Sequence, residues 1–264
     1  MRIELGIFRP GMKLHSWIKT LFYKAGYSVK KIHHAPRRPS ADANQQSPAA
    51  DVMKLLHRTN PYADFDFRSH PLDAHGWGGQ SPAFRELIAR KRPRLIVEVG
   101  TWKGASALEM AAATRDLGLA TQIVCVDTWL GALEFWNDHN DPERYLSLRL
   151  RHGYPSVYYQ FLANVCHGGF QDRIVPFPQT ASTAALWFRA HGIKAELIYV
   201  DASHEEEDVY QDLANYWDIL DAGGILFGDD YSWDGVRLAV ERFAAEEGRK
   251  VSFVADKWLL SNEP

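Results

Sequence analysis

The chain has 264 residues, of which 46% are hydrophobic and 24% charged, with a formal net charge of −3. That is the length of one large domain, or one domain with an extension, at the composition of a globular protein. No apolar run approaches the roughly 18 residues of a membrane-spanning helix, and two cysteines, Cys125 and Cys166, allow neither a disulfide scaffold nor a Cys-based zinc site.

The charge is unevenly spread. Residues 1–50 carry nine Lys/Arg against Glu4 and Asp42, a balance of +7 that leaves residues 51–264 at −10. An acidic body is a poor match for nucleic acid, although the basic leader does not exclude such a partner. In the basic leader, Trp17, Ile18, Leu21 and Phe22 stand among Lys13, Lys19, Lys24, Lys30 and Lys31. This pattern predicts a short amphipathic helix that either packs or is solvated, or lets residues 13–31 lie on an anionic membrane surface or dock on a partner. Residues 35–50, rich in Pro, Ala, Ser and Gln, read as a linker. The domain division is thus a basic extension over 1–50 and a folded domain over 51–264. The first residues have no apolar stretch of signal-peptide length, which fits a cytoplasmic setting, with membrane contact at most peripheral.

From about residue 80, strand-length apolar runs alternate with helical stretches. The runs 94–99 (RLIVEV), 122–126 (QIVCV), 173–176, 196–200 (ELIYV) and 224–227 (GILF) are short and β-branched, as strands buried on both faces should be. Between them, 105–113 follows a glycine turn, and 205–220 begins with three acids and ends before Gly223–Gly224. A further helix is expected over 235–247, and 250–255 with 257–261 form two closing strands joined by a tight turn. The alternation predicts a Rossmann-like, doubly wound, mostly parallel seven-stranded sheet, whose ligands sit at the carboxyl ends of the strands.

The strand ends carry the chemistry. The first runs into Glu98-Val-Gly100-Thr101-Trp102-Lys-Gly104-Ala-Ser106, whose glycines allow a sharp turn and a close backbone approach to a ligand at a helix N-terminus. The spacing is not GxGxxG, which speaks against a nicotinamide dehydrogenase. The second ends in Asp127-Thr128-Trp129, an acid placed for a ribose diol and an aromatic able to stack on adenine. The plainer reading makes Glu98 and Asp127 caps of a helix and a loop. The fourth ends in Asp201-Ala-Ser-His204 and the fifth in Asp229-Asp230. If those strands are neighbours, their carboxylates converge and need a counter-charge, for which Mg²⁺, Ca²⁺ or Mn²⁺ is the expected oxygen-liganded ion. Alternatively the same acids cap the segments that follow. His204, next to that point, has the ordinary pKa of a proton acceptor.

This succession of Glu98–Gly100–Gly104–Ser106, Asp127, Asp201 and DAGGILFGDDY resembles the class I S-adenosylmethionine-dependent methyltransferases. More narrowly, it resembles their metal-dependent O-methyltransferase branch, which includes the catechol, caffeoyl-CoA and macrocin-type sugar O-methyltransferases. The resemblance spans roughly residues 75–262. It implies that Gly100 with Thr101 and Trp102 lines the methionine part of the cofactor, with Glu98 and Ser106 beside it. Asp127 and Thr128 would then face the ribose, Trp129 would border the adenine, and Thr180 and Ala181 would lie at the adenine edge. It further implies Asp201, Asp229 and Asp230 as ligands of Mg²⁺ or another divalent cation, with Asp201 also next to the cofactor. His204 stands where the catechol branch has a lysine, so His204, Asp201 or the metal alone would handle the proton. Asp230, in place of the asparagine of that branch, matches the sugar branch.

The expected activity is therefore O-methyl transfer to a hydroxyl of a small molecule, a sugar or a phenol, with residues 130–168 as a substrate lid and His70–Gln80 crossing the pocket from the other side. Trp136, Asn137, His139, Asn140, Tyr145, Arg149, Arg151 and Tyr154 make that lid both polar and aromatic. The rival readings are a metal-independent methyltransferase of the same fold and a catalytically silent cofactor-binding module. Homo-oligomerisation is left open.

Overall fold

The apolar runs become the centre of a sheet. In the computed structural model, which describes residues 51–76, 78–137 and 142–262, the strands are β1 (Leu95–Val99), β2 (Gln122–Asp127), β3 (Ile174–Pro178), β4 (Ala195–Val200), β5 (Leu220–Gly228), β6 (Ser252–Val254) and β7 (Lys257–Ser261). Their spatial order is β3-β2-β1-β4-β5-β7-β6. The ladders from β3 through β5 are parallel, whereas β5–β7 and β6–β7 are antiparallel. The expected mostly parallel sheet is therefore corrected to a mixed one. The cause is the short turn Ala255–Asp256, which returns the chain as a hairpin where no crossover helix is available.

Strand alternation sorts the side chains onto two faces. Val97, Val99, Val124, Val126, Ile198, Val200 and Leu226 pack against α7 (Ala181–Ala190), α8 (Glu206–Trp217) and α9 (Asp234–Glu246). Ile96, Ile123, Cys125, Leu197, Tyr199, Phe227 and Leu259 pack on the opposite face against α2 (Pro82–Lys91), α3 (Ala105–Asp116) and α6 (Val157–Gly168). Both faces are covered, as a doubly wound sheet requires. Among the described residues there are also three short α-helices, α1 (Val52–Leu56), α4 (Leu133–Asn137) and α5 (Pro142–Ser147), and a 3-10 turn over Phe67–Ser69.

Helix ends follow local chemistry. Ser81 caps α2, accepting from the Ala83 N–H at 3.2 Å with Pro82 in the first turn, and Glu206, Glu207 and Asp208 sit at the positive end of α8. The helix expected over 205–220 stops at Trp217. Gly223 and Gly224 lie inside β5 rather than beyond the helix, because Leu220 already pairs with Ala195 and the ladder shifts register before Leu197 meets Ile225. The readings made for residues 1–50, including a membrane contact through residues 13–31, lie outside the described residues. Among the described residues no helix is long and apolar enough to cross a membrane.

Candidate functional site

A cavity of about 330 Å³ opens at the carboxyl ends of the parallel strands, where β1 and β4 lie side by side and their connections leave in opposite directions. Its walls come from the turn after β1 (Gly100, Thr101, Trp102, Ser106), the end of β2 (Asp127, Thr128), the residues flanking Thr180 (Gln179, Ala181), and the ends of β4 and β5 (Asp201, His204, Asp230). Gly76 and Gly79 line it from the crossing segment, as expected for 70–80, while Ala132 just before α4, Glu134 and Phe135 of α4, and Arg144 of α5 close it.

The turn after β1 is built for close approach. Gly100 has φ +83°, and a Cβ there would stand 2.0 Å from the Asp201 carbonyl oxygen, so only glycine lets the β1 turn pass the end of β4. The turn is pinned by Asp127, whose Oδ2 accepts the backbone N–H groups of Thr101 and Trp102 at 2.8 Å each; its Oδ1 accepts that of Trp129 at 2.6 Å. Trp102 and Trp129 are held at φ +50° and +54°, unusual for bulky side chains. The indole N–H of Trp102 is buried without a partner in a residue that lines the cavity. Such an orphan donor, a cradle that a Cβ would fill and an acid at the end of β2 suit a polar ligand of nucleoside type.

Glu98 belongs under this floor rather than in it. By alternation it points to the α3 face, is fully buried, and accepts hydrogen bonds from the Thr101 and Ser106 hydroxyls and from the Cys125 thiol. Burial pushes its carboxyl up to about 7, against the pull of those hydroxyls. Trp129 is also away from the cavity: it is 2% exposed, packs on Tyr158 and Phe161, and donates to the Trp102 carbonyl at 2.8 Å. Thr180 is the N-cap of α7, accepting from the Thr183 N–H. None of these three lines the cavity: Glu98 and Trp129 are buried in the core, and the exposed Thr180 caps a helix.

The acids at β4 and β5 converge as expected, with cations already among them. Asp229 Oδ2 pairs with Lys257 Nζ at 2.5 Å and lies 3.4 Å from the Tyr199 hydroxyl, while its Oδ1 accepts the Asp230 N–H at 2.8 Å. Asp230 faces His204 Nε2 at 3.0 Å, and Glu134 from α4 faces His204 Nδ1 at 2.7 Å. Asp201 takes the Tyr199 hydroxyl at 3.1 Å and otherwise faces the cavity. Among the described residues no group of three or more His, Cys, Asp or Glu side chains is arranged to hold a metal ion. The expected set Asp201, Asp229 and Asp230 does not fit one, because both oxygens of Asp229 are engaged and one partner is a buried ammonium.

The same contacts set the proton affinities. Burial, with Asp229 and Asp230 nearby, pushes Asp201 up to about 8. The hydrogen bond to Asp230, aided by Glu134, raises His204 and outweighs its burial. With both ring nitrogens facing carboxylates and Trp233 stacked on the ring at 4.4 Å, His204 is placed as an imidazolium clamp with no free nitrogen for a hydroxyl proton. Asp201 faces the cavity and, in its ionised form, can take one with a raised proton affinity.

Of residues 130–168, expected as a lid, only a part lines the cavity among the described residues. Cavity-lining residues occur in 131–144, but α6 is a core helix with Phe161 and Val165 fully buried, and Arg149 is spent on Asp73 at 2.7 Å. Trp136 and Tyr145 meet edge to face, both largely exposed, and Tyr154 is exposed; His139 and Asn140 lie outside the described residues. Sequence reasoning missed Glu134, Trp233, Gln179 and Lys257. The one available trace of Lys257 was its period-two relation to the buried Leu259.

A family model described as a methyltransferase domain matches residues 97–231. No curated protein matches the chain. Among solved structures, the O-methyltransferase NovP is similar at a TM-score of 0.51 and 18% identity, over 69% of this chain and 78% of that one. An O-methyltransferase from Bacillus cereus in complex with SAH gives 0.47 and 18%, over 74% and 86%. TomG from Streptomyces achromogenes, an O-methyltransferase in complex with SAM, gives 0.47 and 14%, over 68% and 77%. At these identities the likeness is one of fold.

Proposed function

Since this chain belongs to the methyltransferase-domain family, we propose that it transfers a methyl group from S-adenosylmethionine to a hydroxyl oxygen of a small molecule, a sugar or a phenol. The observation that carries this reading is the single cavity wall that joins the Gly100–Trp102 turn and Asp127 on one side to Asp201 on the other. The similar fold of the O-methyltransferase NovP supports oxygen as the accepting atom.

S-adenosylmethionine supplies a methyl group on a sulfonium, open to in-line attack. The turn after β1 holds the amino-acid end of that molecule, with the Trp102 indole N–H as a donor and the Gly100 backbone in close approach. Asp127, rigid because three backbone N–H groups hold it, presents the remaining lone pair of Oδ1 to the ribose hydroxyls. Asp201 faces the acceptor and takes the proton that its hydroxyl loses as the carbon–oxygen bond forms. His204, bridging Glu134 and Asp230, ties α4 to the end of β5 and so fixes the acceptor side of the cavity. The aromatic residues Phe135 and Trp233 offer flat surfaces for a ring or a sugar face.

Calorimetric titration with S-adenosylhomocysteine tests the cofactor half. A panel of sugars and phenols with radiolabelled S-adenosylmethionine tests the acceptor half. Saturable binding followed by base-stable label in an acceptor is the expected result. Failure of S-adenosylhomocysteine to bind removes the reading.

A further inference from the structure

We propose that Lys257 is the resident cation of this site: its ammonium neutralises the carboxylates at the ends of β4 and β5, so that the protein binds no divalent ion there. Lys257 is fully buried, at 0% exposure. Its Nζ lies 2.5 Å from Asp229 Oδ2, 2.9 Å from Asp256 Oδ2 and 3.3 Å from the Gly78 carbonyl, which gives each of its three hydrogens an acceptor. The rings of Phe84 and Tyr199 stand 5.8 and 5.9 Å from it. This is a fixed charge in a closed shell, unlike the solvated end of a surface lysine.

The register explains how it arrives there. Gly228 of β5 pairs with Trp258 of β7 across the antiparallel ladder, so Asp229 and Lys257 are the next pair out, on neighbouring strands. The Trp258 indole N–H also donates to the Asp229 carbonyl at 2.7 Å, fixing the acid's backbone. A divalent ion at Asp229 would have to enter within a few ångströms of a buried positive charge, displace it from an oxygen it already holds, and leave that ammonium with only Asp256 and the Gly78 carbonyl as acceptors. Lys257 also holds the cavity rim, since it donates to the Gly78 carbonyl in the crossing segment, and its partner Asp256 accepts from the hydroxyl of Ser81, the N-cap of α2. It is a positioning residue: it sets the charge and place of Asp229, and through the shared Tyr199 hydroxyl those of Asp201.

The inference depends on the methyl-transfer reading only for its catalytic consequence, because metal binding is measured directly. The test is Mn²⁺ titration of the full chain followed by electron paramagnetic resonance, with S-adenosylhomocysteine titrated in parallel in EDTA and in Mg²⁺. The wild type is expected to hold no Mn²⁺ up to about 1 mM, beyond the range of weak protein sites. Its S-adenosylhomocysteine affinity is expected to agree within about twofold between EDTA and Mg²⁺. In Lys257→Met the uncompensated acids are expected to bind Mn²⁺ at least about tenfold more tightly than in the wild type, with a Tm that rises on Mn²⁺ addition. One Mn²⁺ bound by the wild type and lost in Asp229→Asn overturns the proposal. So does a folded Lys257→Met that is indifferent to Mn²⁺. Should that variant not fold, the wild-type titration decides alone. Loss of S-adenosylhomocysteine binding in every condition would fall on the methyltransferase reading and leave the metal result standing.

Discussion

Asp127 holds the backbone of Trp102 in a left-handed conformation: its Oδ2 accepts the Trp102 N–H at 2.8 Å, and the residue sits at φ +50°. The same oxygen takes the Thr101 N–H, so one carboxylate on β2 shapes the turn that follows β1. The neighbouring strands place the two in reach, since Val99 pairs with Val126 in the parallel ladder.

Removal of that carboxylate is expected to be felt twice. Asp127→Ala leaves three backbone donors without their acceptor, at about 1–3 kcal/mol for the buried ones, which lowers the Tm by several degrees. It also removes the acid offered to the ribose, and S-adenosylhomocysteine is expected to bind at least about tenfold more weakly. Calorimetry and a thermal scan on one preparation check both. An unchanged affinity would show that Asp127 serves the turn alone.

Gly100→Ala is the sharpest steric test. A Cβ 2.0 Å from the Asp201 carbonyl oxygen, at φ +83°, forces either the turn or the end of β4 to move. The expected result is a folded but destabilised protein with S-adenosylhomocysteine binding lost. Gly118→Ala, where a Cβ would meet nothing within 4 Å at a similarly positive φ of +64°, separates the contact from the backbone strain.

The assignment of proton acceptor to Asp201 rather than His204 makes a comparative prediction. Once an acceptor is known, Asp201→Asn is expected to lower kcat by about 10²-fold or more while S-adenosylhomocysteine affinity stays within about threefold. His204→Gln keeps a hydrogen-bonding side chain between Glu134 and Asp230, and is expected to act mainly on KM for the acceptor. A larger kcat loss in His204→Gln than in Asp201→Asn would reverse the roles.

Glu98 gives a pH dependence of stability. Its carboxyl titrates at about 7 in the fold, above the ordinary 4.5, because burial disfavours the charge. Between those values the folded chain keeps a proton that the unfolded chain has released. Stability is therefore full below about pH 4.5 as far as this group is concerned, falls as pH rises towards 7, and levels off above it, with a total loss of about 3 kcal/mol at most. Asp212, also raised to about 7 by burial and by Asp208, adds in the same direction. Denaturant unfolding at pH 5.5 and 8.0 is expected to give the lower midpoint at pH 8.0, and Glu98→Gln is expected to flatten that difference.

Much of the architecture was legible in the chain. β-Branched runs such as ELIYV become central strands because each residue finds a covered face on either side, and the acids that end those strands must emerge at one rim. That is why the rim residues Asp127, Asp201, His204 and Asp230 all line one cavity. Glu98, expected beside the methionine part of the cofactor, is buried and absent from the cavity lining, because the period of two turns it to the α3 face. Trp129 likewise lies away from the cavity, because its ring packs in the core against Tyr158 and Phe161.

What the sequence determined by itself is therefore the local part: which segments are buried strands, which turns need glycine, and that acids gather at the ends of β4 and β5. These depend on periodicity and short-range sterics, which neighbours in the chain decide. Only the tertiary structure decided what neutralises those acids. Lys257 is 28 residues from Asp229 along the chain, yet an antiparallel ladder sets it opposite, and His204 meets Glu134 of α4 across 70 residues. Electrostatic partners are chosen by distance in space, and that distance is fixed by strand order and register rather than by spacing in the sequence.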